Sequence, residues 1–231
     1  MKIINLIAIL SILLIFLSCQ DKKDQTAQTK PGKQTITANI QVSAVCVWDK
    51  GSLRETPSSD GKWLGSMSLA EKLIYTGNSK VDSSGKRPVT FYQVKLSDGK
   101  PGWASEYTVE INASPAIVTE RTYLYKRPDF LTKSDLELVP LDFVAAKQEK
   151  DNWVEVVGAE KKKSGWVSKN SLLFSELNIA VGVLGQKALS QSDSSKRMAE
   201  IKAIIDNPAF SSSIFINYLK NELPAYQDSS L

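Results

Sequence analysis

Acid–base chemistry in this sequence falls to carboxylates, Lys and Tyr, and that narrows what it can do. The 231-residue chain has no histidine, which is the usual general base and the commonest zinc ligand. Ser-His-Asp and Cys-His hydrolase arrangements are thereby excluded, as are His-based zinc peptidases. Enzymes that use carboxylates, Lys or Tyr survive this test. Carboxylates do occur in near pairs, Asp135 with Glu137 and Glu149 with Asp151, but such spacing on a strand or turn does not set them across a cleft. The acids between Asp129 and Asp142 lack the Gly and Glu spacing of a calcium loop. No catalytic residue, no metal site and no cofactor is read from the chain. The chain has two thiols, Cys19 and Cys46.

Cys19 closes the N-terminal apolar run. Met1-Lys2 is followed by Ile3 to Leu17, interrupted only by Asn5 and Ser11, and then by Ser18-Cys19. A positive start, a short apolar core and a small residue before the cut make a secretory signal peptide. The run falls short of the ~20 residues that span a bilayer. Phe16-Leu17-Ser18-Cys19 resembles the lipobox of bacterial lipoproteins, although the family prefers Leu and a small residue where Phe16 and Leu17 stand. The resemblance implies a signal peptide over residues 1–18 and lipidation of Cys19, with palmitate among the acyl chains. The protein would then partner a membrane through acylated Cys19, since two or more chains give stable anchoring. An ordinary signal peptide with an incidental cysteine, or an uncleaved anchor helix, is the alternative. Gln20 after Cys19 points away from inner-membrane retention, toward the outer membrane or cell surface of the bacterial envelope.

Residues 19–39 are polar, carry Pro31-Gly32 and show no apolar periodicity, so they read as a flexible tether reaching ~25 Å. With Cys19 taken by lipid, Cys46 is the only thiol and no intramolecular disulfide can form. It lies in the alternating stretch Ile40 to Trp48 and reads as a small buried hydrophobe on a strand.

Aromatic side chains are the candidates for ligand binding: Trp63, Tyr75, Tyr92, Trp103, Tyr107 and Trp166. Trp63 follows the turn Asp60-Gly61-Lys62 and is the best placed for exposure. Trp103 and Trp166 each follow a glycine and read as core aromatics or as ligand platforms. Exposed aromatics beside cations suit peptides, glycans or Pro-rich segments. Lys161-Lys162-Lys163 precede Gly165-Trp166, while Lys80, Lys86 and Arg87 line the loop expected from Asn78 to Pro88. Such hairpin tips are either simply solvated or meet lipid headgroups and acidic wall polymers. The net charge of +4 is too mild to argue for nucleic acid.

These residues are positioned by short β-like runs, among them Lys72–Thr76, Thr90–Leu96, Phe143–Ala146 and Trp153–Val157. Asp60-Gly61, Gly77-Asn78, Ser84-Gly85 and Asp98-Gly99 mark turns between them. The region also repeats itself. Leu53-Arg-Glu-Thr-Pro57 answers Leu124-Tyr-Lys-Arg-Pro128, Phe91-Tyr-Gln-Val94 answers Trp153-Val-Glu-Val156, and Gly102-Trp103 answers Gly165-Trp166. Landmarks in that order resemble the bacterial SH3 (SH3b) domain, although the family's Asn-Val-Arg opening is missing and Phe91 replaces its strand Trp. The resemblance implies a mainly β protein of two tandem SH3-like β-barrels, over residues 40–112 and 113–176. It also implies binding to cell-wall peptides or proteins.

A small C-terminal α-helical unit is expected over residues 177–231. Ser192 to Ser195 offer N-caps to Lys196–Ile205, with Met198, Ile201, Ile204 and Ile205 on one face. Ile214–Leu223 repeats the pattern with a stripe of Ile214, Phe215, Tyr218, Leu219 and Leu223. A helix over Leu177–Leu189 is weakened by Gly182 and Gly185. Helices this short must pack on the second barrel or on a partner. The combined expectation is a lipid-anchored, non-catalytic binding protein of the cell envelope, with peptidoglycan or an envelope protein as partner. The alternatives are a surface-exposed lipoprotein that binds host molecules and an accessory subunit of a wall-modifying enzyme.

Overall fold

The computed structural model describes residues 42–223; the signal peptide, Cys19 and the tether lie outside the described residues. The first copy supplies β1 (Val42–Cys46), β2 (Gly51–Arg54), β3 (Trp63–Met67), β4 (Lys72–Asp82), β5 (Val89–Lys95), β6 (Pro101–Ser105) and β7 (Val109–Ile111). The second supplies β8 (Ser114–Val118), β9 (Thr122–Tyr125), β10 (Lys133–Leu138), β11 (Phe143–Lys150), β12 (Trp153–Gly158), β13 (Ser164–Ser168) and β14 (Leu172–Leu173). Each set forms one antiparallel sheet, in the orders β3-β2-β6-β5-β4-β1-β7 and β10-β9-β13-β12-β11-β8-β14. The second order matches the first strand for strand, so the sequence repeat is a repeat of topology. Closed barrels are not what the ladders form. The edge strands β7 and β14 are three and two residues long, too short to carry a closing ladder to β3 or β10, and the sheets stay open.

The repeated landmarks touch one another. Leu53 and Leu124 are buried, and a Cβ on Gly102 would overlap the Leu53 side chain. On Gly165 it would stand 2.8 Å from the Tyr125 carbonyl oxygen and 3.3 Å from Leu124 Cβ. Glycine precedes each tryptophan because the leucine of the Leu-x-x-x-Pro segment fills the space a side chain would need. Phe91 and Trp153 also occupy equivalent places, opposite Ser105 and Ser168. One expected turn and the loop after it behave differently. Gly77-Asn78 lies inside β4, where the register shifts between Tyr75 and Ser79 and Gly77 takes φ 89°, as a β-bulge requires. The supposed loop from Asn78 is therefore strand as far as Asp82.

Three apolar clusters hold the protein together. Ala44, Cys46, Leu53, Met67, Leu73, Val94, Ala104 and Val109 form the core of the first sheet. Ala116, Val118, Leu124, Val144, Val154, Val156 and Val167 do so for the second. The alternate residues of the same strands, Val45 and Val47 on and just beyond β1, Ile117 on β8, and Phe143 and Ala145 on β11, enter a third cluster with the helices. Strands buried on both faces read as unbroken apolar runs, which is how Ala44–Val47 and Phe143–Ala146 read.

The helices are α1 (Glu176–Leu189), α2 (Ser194–Ile205, capped by Asp193) and α3 (Phe215–Asn221). They pack on both sheets, not on the second alone. Gly182 and Gly185 do not weaken α1 in place. Both are buried, and a Cβ on Gly182 would overlap Ile117 while one on Gly185 would stand 3.1 Å from Leu219. Their missing side chains let the helix lie against β8 and α3. In the outer helices Ile201, Ile204, Phe215, Ile216, Leu219 and Leu223 are buried, whereas Met198 and Ile214 are exposed. Ile216 is buried in place of the expected Ile214, which is the N-cap residue ahead of the first turn of α3. Burial at ~1.5–3 kcal/mol per side chain offsets the cost of ordering a seven-residue helix that is unstable in isolation.

Polar contacts fix the two sheets to each other. Glu110 on β7, largely buried, receives Lys147 at 2.7 Å and Lys161 at 2.8 Å from the second copy. The Glu160 N–H donates to the Val47 carbonyl at 2.7 Å. The lysine run is thus not a solvated tip: Lys161 and Lys163 bridge to other elements, Lys163 donating to the Glu137 carbonyl at 2.7 Å. Burial pushes the Glu110 carboxyl up, but hydrogen bonds from Lys147 and Lys161 outweigh it and hold the group below its ordinary value. A depressed carboxylate contributes stability above its unfolded value of about 4.3 and loses it as pH falls through the folded value. Glu110→Gln is therefore expected to lower urea-unfolding stability by about 1–3 kcal/mol at neutral pH, with the difference from wild type shrinking as pH falls below the carboxylate range.

Candidate functional site

The face of each sheet opposite its core carries aromatic residues around the loop between the second and third strands of the copy. In the first copy Arg54 pairs with Trp63 and with Trp103, and Trp103 pairs with Gln93. Partners across a ladder share a face, so Trp63, Arg54 and Trp103 stand together. Trp63 is 57% exposed and Trp103 half-buried. The intervening loop is built rigidly. The Glu55 N–H donates to the Lys62 carbonyl at 2.9 Å and the Gly61 N–H to Ser58 at 3.0 Å, while Arg54 Nη1 donates to the Gly61 carbonyl at 3.0 Å. Asp82 ties the loop to the neighbouring hairpin by accepting the Ser59 N–H at 3.0 Å. The Ser84 hydroxyl and N–H with that Ser59 N–H hold the Asp82 carboxyl well below the usual carboxylate range.

The second copy repeats this plan with other residues. The Lys126 N–H donates to the Thr132 carbonyl at 3.0 Å, closing the loop as Glu55 and Lys62 do in the first. Asp129 caps a single 3-10 turn by accepting the Leu131 N–H at 2.9 Å, and Thr132 Oγ1 donates to the Asp129 carbonyl at 2.8 Å. That turn presents Phe130, 73% exposed, and Leu131, 94% exposed. Beneath them Phe130 meets Trp153 at 4.8 Å and Tyr125 at 5.9 Å between ring centroids, and Tyr125 meets Trp153 edge-on at 4.9 Å. Trp166 is half-buried and pairs with Tyr125 across the ladder. Lys133 Nζ lies 3.3 Å from the centroid of the exposed Tyr123 ring, a cation–π contact.

Of the aromatics read from the sequence, Trp63, Trp103 and Trp166 belong to these faces. Tyr75 and Tyr92 do not. They pair with Val94 and Ala104, both core residues, and pack edge to face at 5.6 Å on the other side of the sheet. There burial, and then the charge of Glu106, push the Tyr92 phenol up. Tyr107 is exposed beyond the end of β6. Cys46 is buried, and that burial raises its thiol to about 11, which leaves it unreactive. Tyr125, Phe130, Leu131 and Trp153 were not read as a site. The signal was present: Arg127-Pro128-Asp129 sets a turn ahead of Phe130 just as Asp60-Gly61-Lys62 does ahead of Trp63.

No group of three or more Cys, Asp or Glu side chains placed to hold a metal occurs among the described residues, and no helix among them is long and apolar enough to cross a membrane. No family model and no curated protein matches the chain. Among solved structures it is similar to NlpC1 and NlpC2 from Trichomonas vaginalis. Each is 12% identical with a TM-score of 0.26, over 64% and 72% of this chain and 52% and 57% of theirs. It is also similar to native CBDP35, 14% identical over 58% of this chain and 96% of that one, with a TM-score of 0.18. The chain thus spans just over half the length of the two NlpC structures, and likeness at these TM-scores does not establish a shared fold.

Burial separates the surface aromatics from their supports. Thermal and urea unfolding are expected to show Trp63→Ala within about 0.5 kcal/mol of wild type. Phe130→Ala should cost about 1 kcal/mol through its ring contacts, and Trp153→Ala about 3 kcal/mol.

Proposed function

We propose that this chain is a lipid-anchored, non-catalytic protein of the cell envelope whose two SH3b-like modules bind a cell-wall component. The observation that carries the reading is the repeated aromatic face. Two copies of one topology hold the same loop closed by the same backbone hydrogen bond, and each presents an exposed ring, Trp63 in one and Phe130 in the other. Rigid aromatic surfaces with a polar rim suit glycans and peptides, and such residues dominate binding where they are found. The differences between the copies, Arg54 beside Trp63 against Lys133 beside Tyr123, fit two subsites of unlike preference on one polymer. The absence of histidine supports a binding role over hydrolysis. The N-terminal apolar run ending on Cys19 supports an acylated anchor, and Gln20 after it supports the outer membrane or cell surface.

Purified protein is expected to be retained on isolated wall sacculi, with the double variant Trp63→Ala, Phe130→Ala weakened about tenfold or more. Equal retention by that variant would sink the aromatic-face reading, and clearing of wall material in a zymogram would sink the non-catalytic one. In cells fed labelled palmitate, wild-type protein should carry label in the membrane fraction and Cys19→Ala should lose both; labelled Cys19→Ala would refute the anchor.

A further inference from the structure

A cleft of about 650 Å3 opens where the first sheet, the second sheet and α1 meet, away from the aromatic faces. Its volume lies within the ~300–1,000 Å3 of small-molecule sites. Leu69 from the first copy, Leu141 and Phe143 from the second, and Val183 and Leu184 from α1 give it apolar walls. Charged side chains ring it in opposite pairs: Lys187 with Asp49, Lys163 with Asp142, and Lys162 with Glu160. Two of these pairs are loose. Lys187 stands 3.5 Å from Asp49 and Lys163 stands 3.8 Å from Asp142, whereas the pairs at Glu110 close to 2.7 and 2.8 Å. Lys187 therefore has room to take a further oxygen, Lys163 keeps one N–H beyond those on the Glu137 carbonyl and toward Asp142, and Asp49, half exposed at the rim, has room for a further donor.

The geometry points to this cleft as a binding site for a short apolar peptide carrying both free termini. The rim carries three lysines and three acids, so it offers partners of both signs. A zwitterion meets it from both sides, with its carboxylate between Lys163 and Lys187, its ammonium toward Asp49, and its side chains against the leucines, Phe143 and Val183. The second copy supplies the largest share of the lining, and Asp49, Ser68 and Leu69 of the first copy with α1 complete it, so binding would also tighten the packing of the three parts.

The probe is the tripeptide Leu-Ala-Leu added to the full chain in detergent, with its N-acetylated and C-amidated forms as comparisons, read by calorimetry and by the thermal midpoint. The free tripeptide is expected to bind and raise the midpoint, and each capped form to bind about tenfold more weakly, the loss of one charge-assisted contact. Lys187→Gln should remove the preference for the free carboxylate while leaving the midpoint of the unliganded protein near wild type. Ser190→Trp, which fills the cleft from an exposed position on its rim, should abolish binding with Trp63 and Phe130 untouched. Absence of binding by the free tripeptide, equal binding of the capped forms, or undiminished binding to Ser190→Trp would each overturn the assignment. Wall retention by the same Ser190→Trp protein keeps this outcome separate from that of the aromatic faces.

Discussion

The arrangement of this protein depends on strands that are buried on both faces. Val45, Ile117, Phe143 and Ala145 point away from the core of their own sheets, and the neighbours Ala44, Ala116, Val144 and Ala146 point into those cores. Left alone, each sheet would expose a second apolar surface. The helices cover it, and because β1 contributes as well as β8 and β11, the cover holds the two copies against each other. Two sheets that form separate cores thus become one body through a third core that neither owns.

That construction explains residues that otherwise look out of place. Two glycines in the middle of α1 cost helix propensity, about 1 kcal/mol each, yet they are the points where the helix meets Ile117 and Leu219. Lysines at a hairpin tip would normally be solvated, yet Lys161 reaches Glu110 because the third core brings that tip beside the first sheet. The Glu110 site is worthwhile only where it is partly desolvated, since an exposed ion pair contributes little.

The binding surface follows the opposite logic. Cores of the two copies are nearly interchangeable, with Leu53 for Leu124, Val94 for Val156 and Ala104 for Val167 in matching positions. The loops between the second and third strands keep their closing hydrogen bond and change their side chains: Trp63 stands in the first copy at the place of Lys133 in the second, and the exposed ring moves to Phe130. A rigid scaffold with altered surface residues is how one fold acquires different ligands.

Local chemistry was legible in the chain. Period-two runs, turn residues and helix caps act within a few residues, so the strands, the two-fold repeat and the three helices could be read directly. So could the absence of histidine chemistry, which is a matter of composition. Even Phe130 announced itself by the turn before it. What the sequence could not settle is what sits across from what. Tyr75 and Tyr92 look equivalent to Trp63 in one dimension, and a shift of a single residue sends a strand side chain to the other face. The glycines of α1, the partners of Glu110 and the three-sided cleft involve residues tens of positions apart. Those contacts exist only once packing has chosen which apolar faces meet, and that choice belongs to the tertiary structure alone.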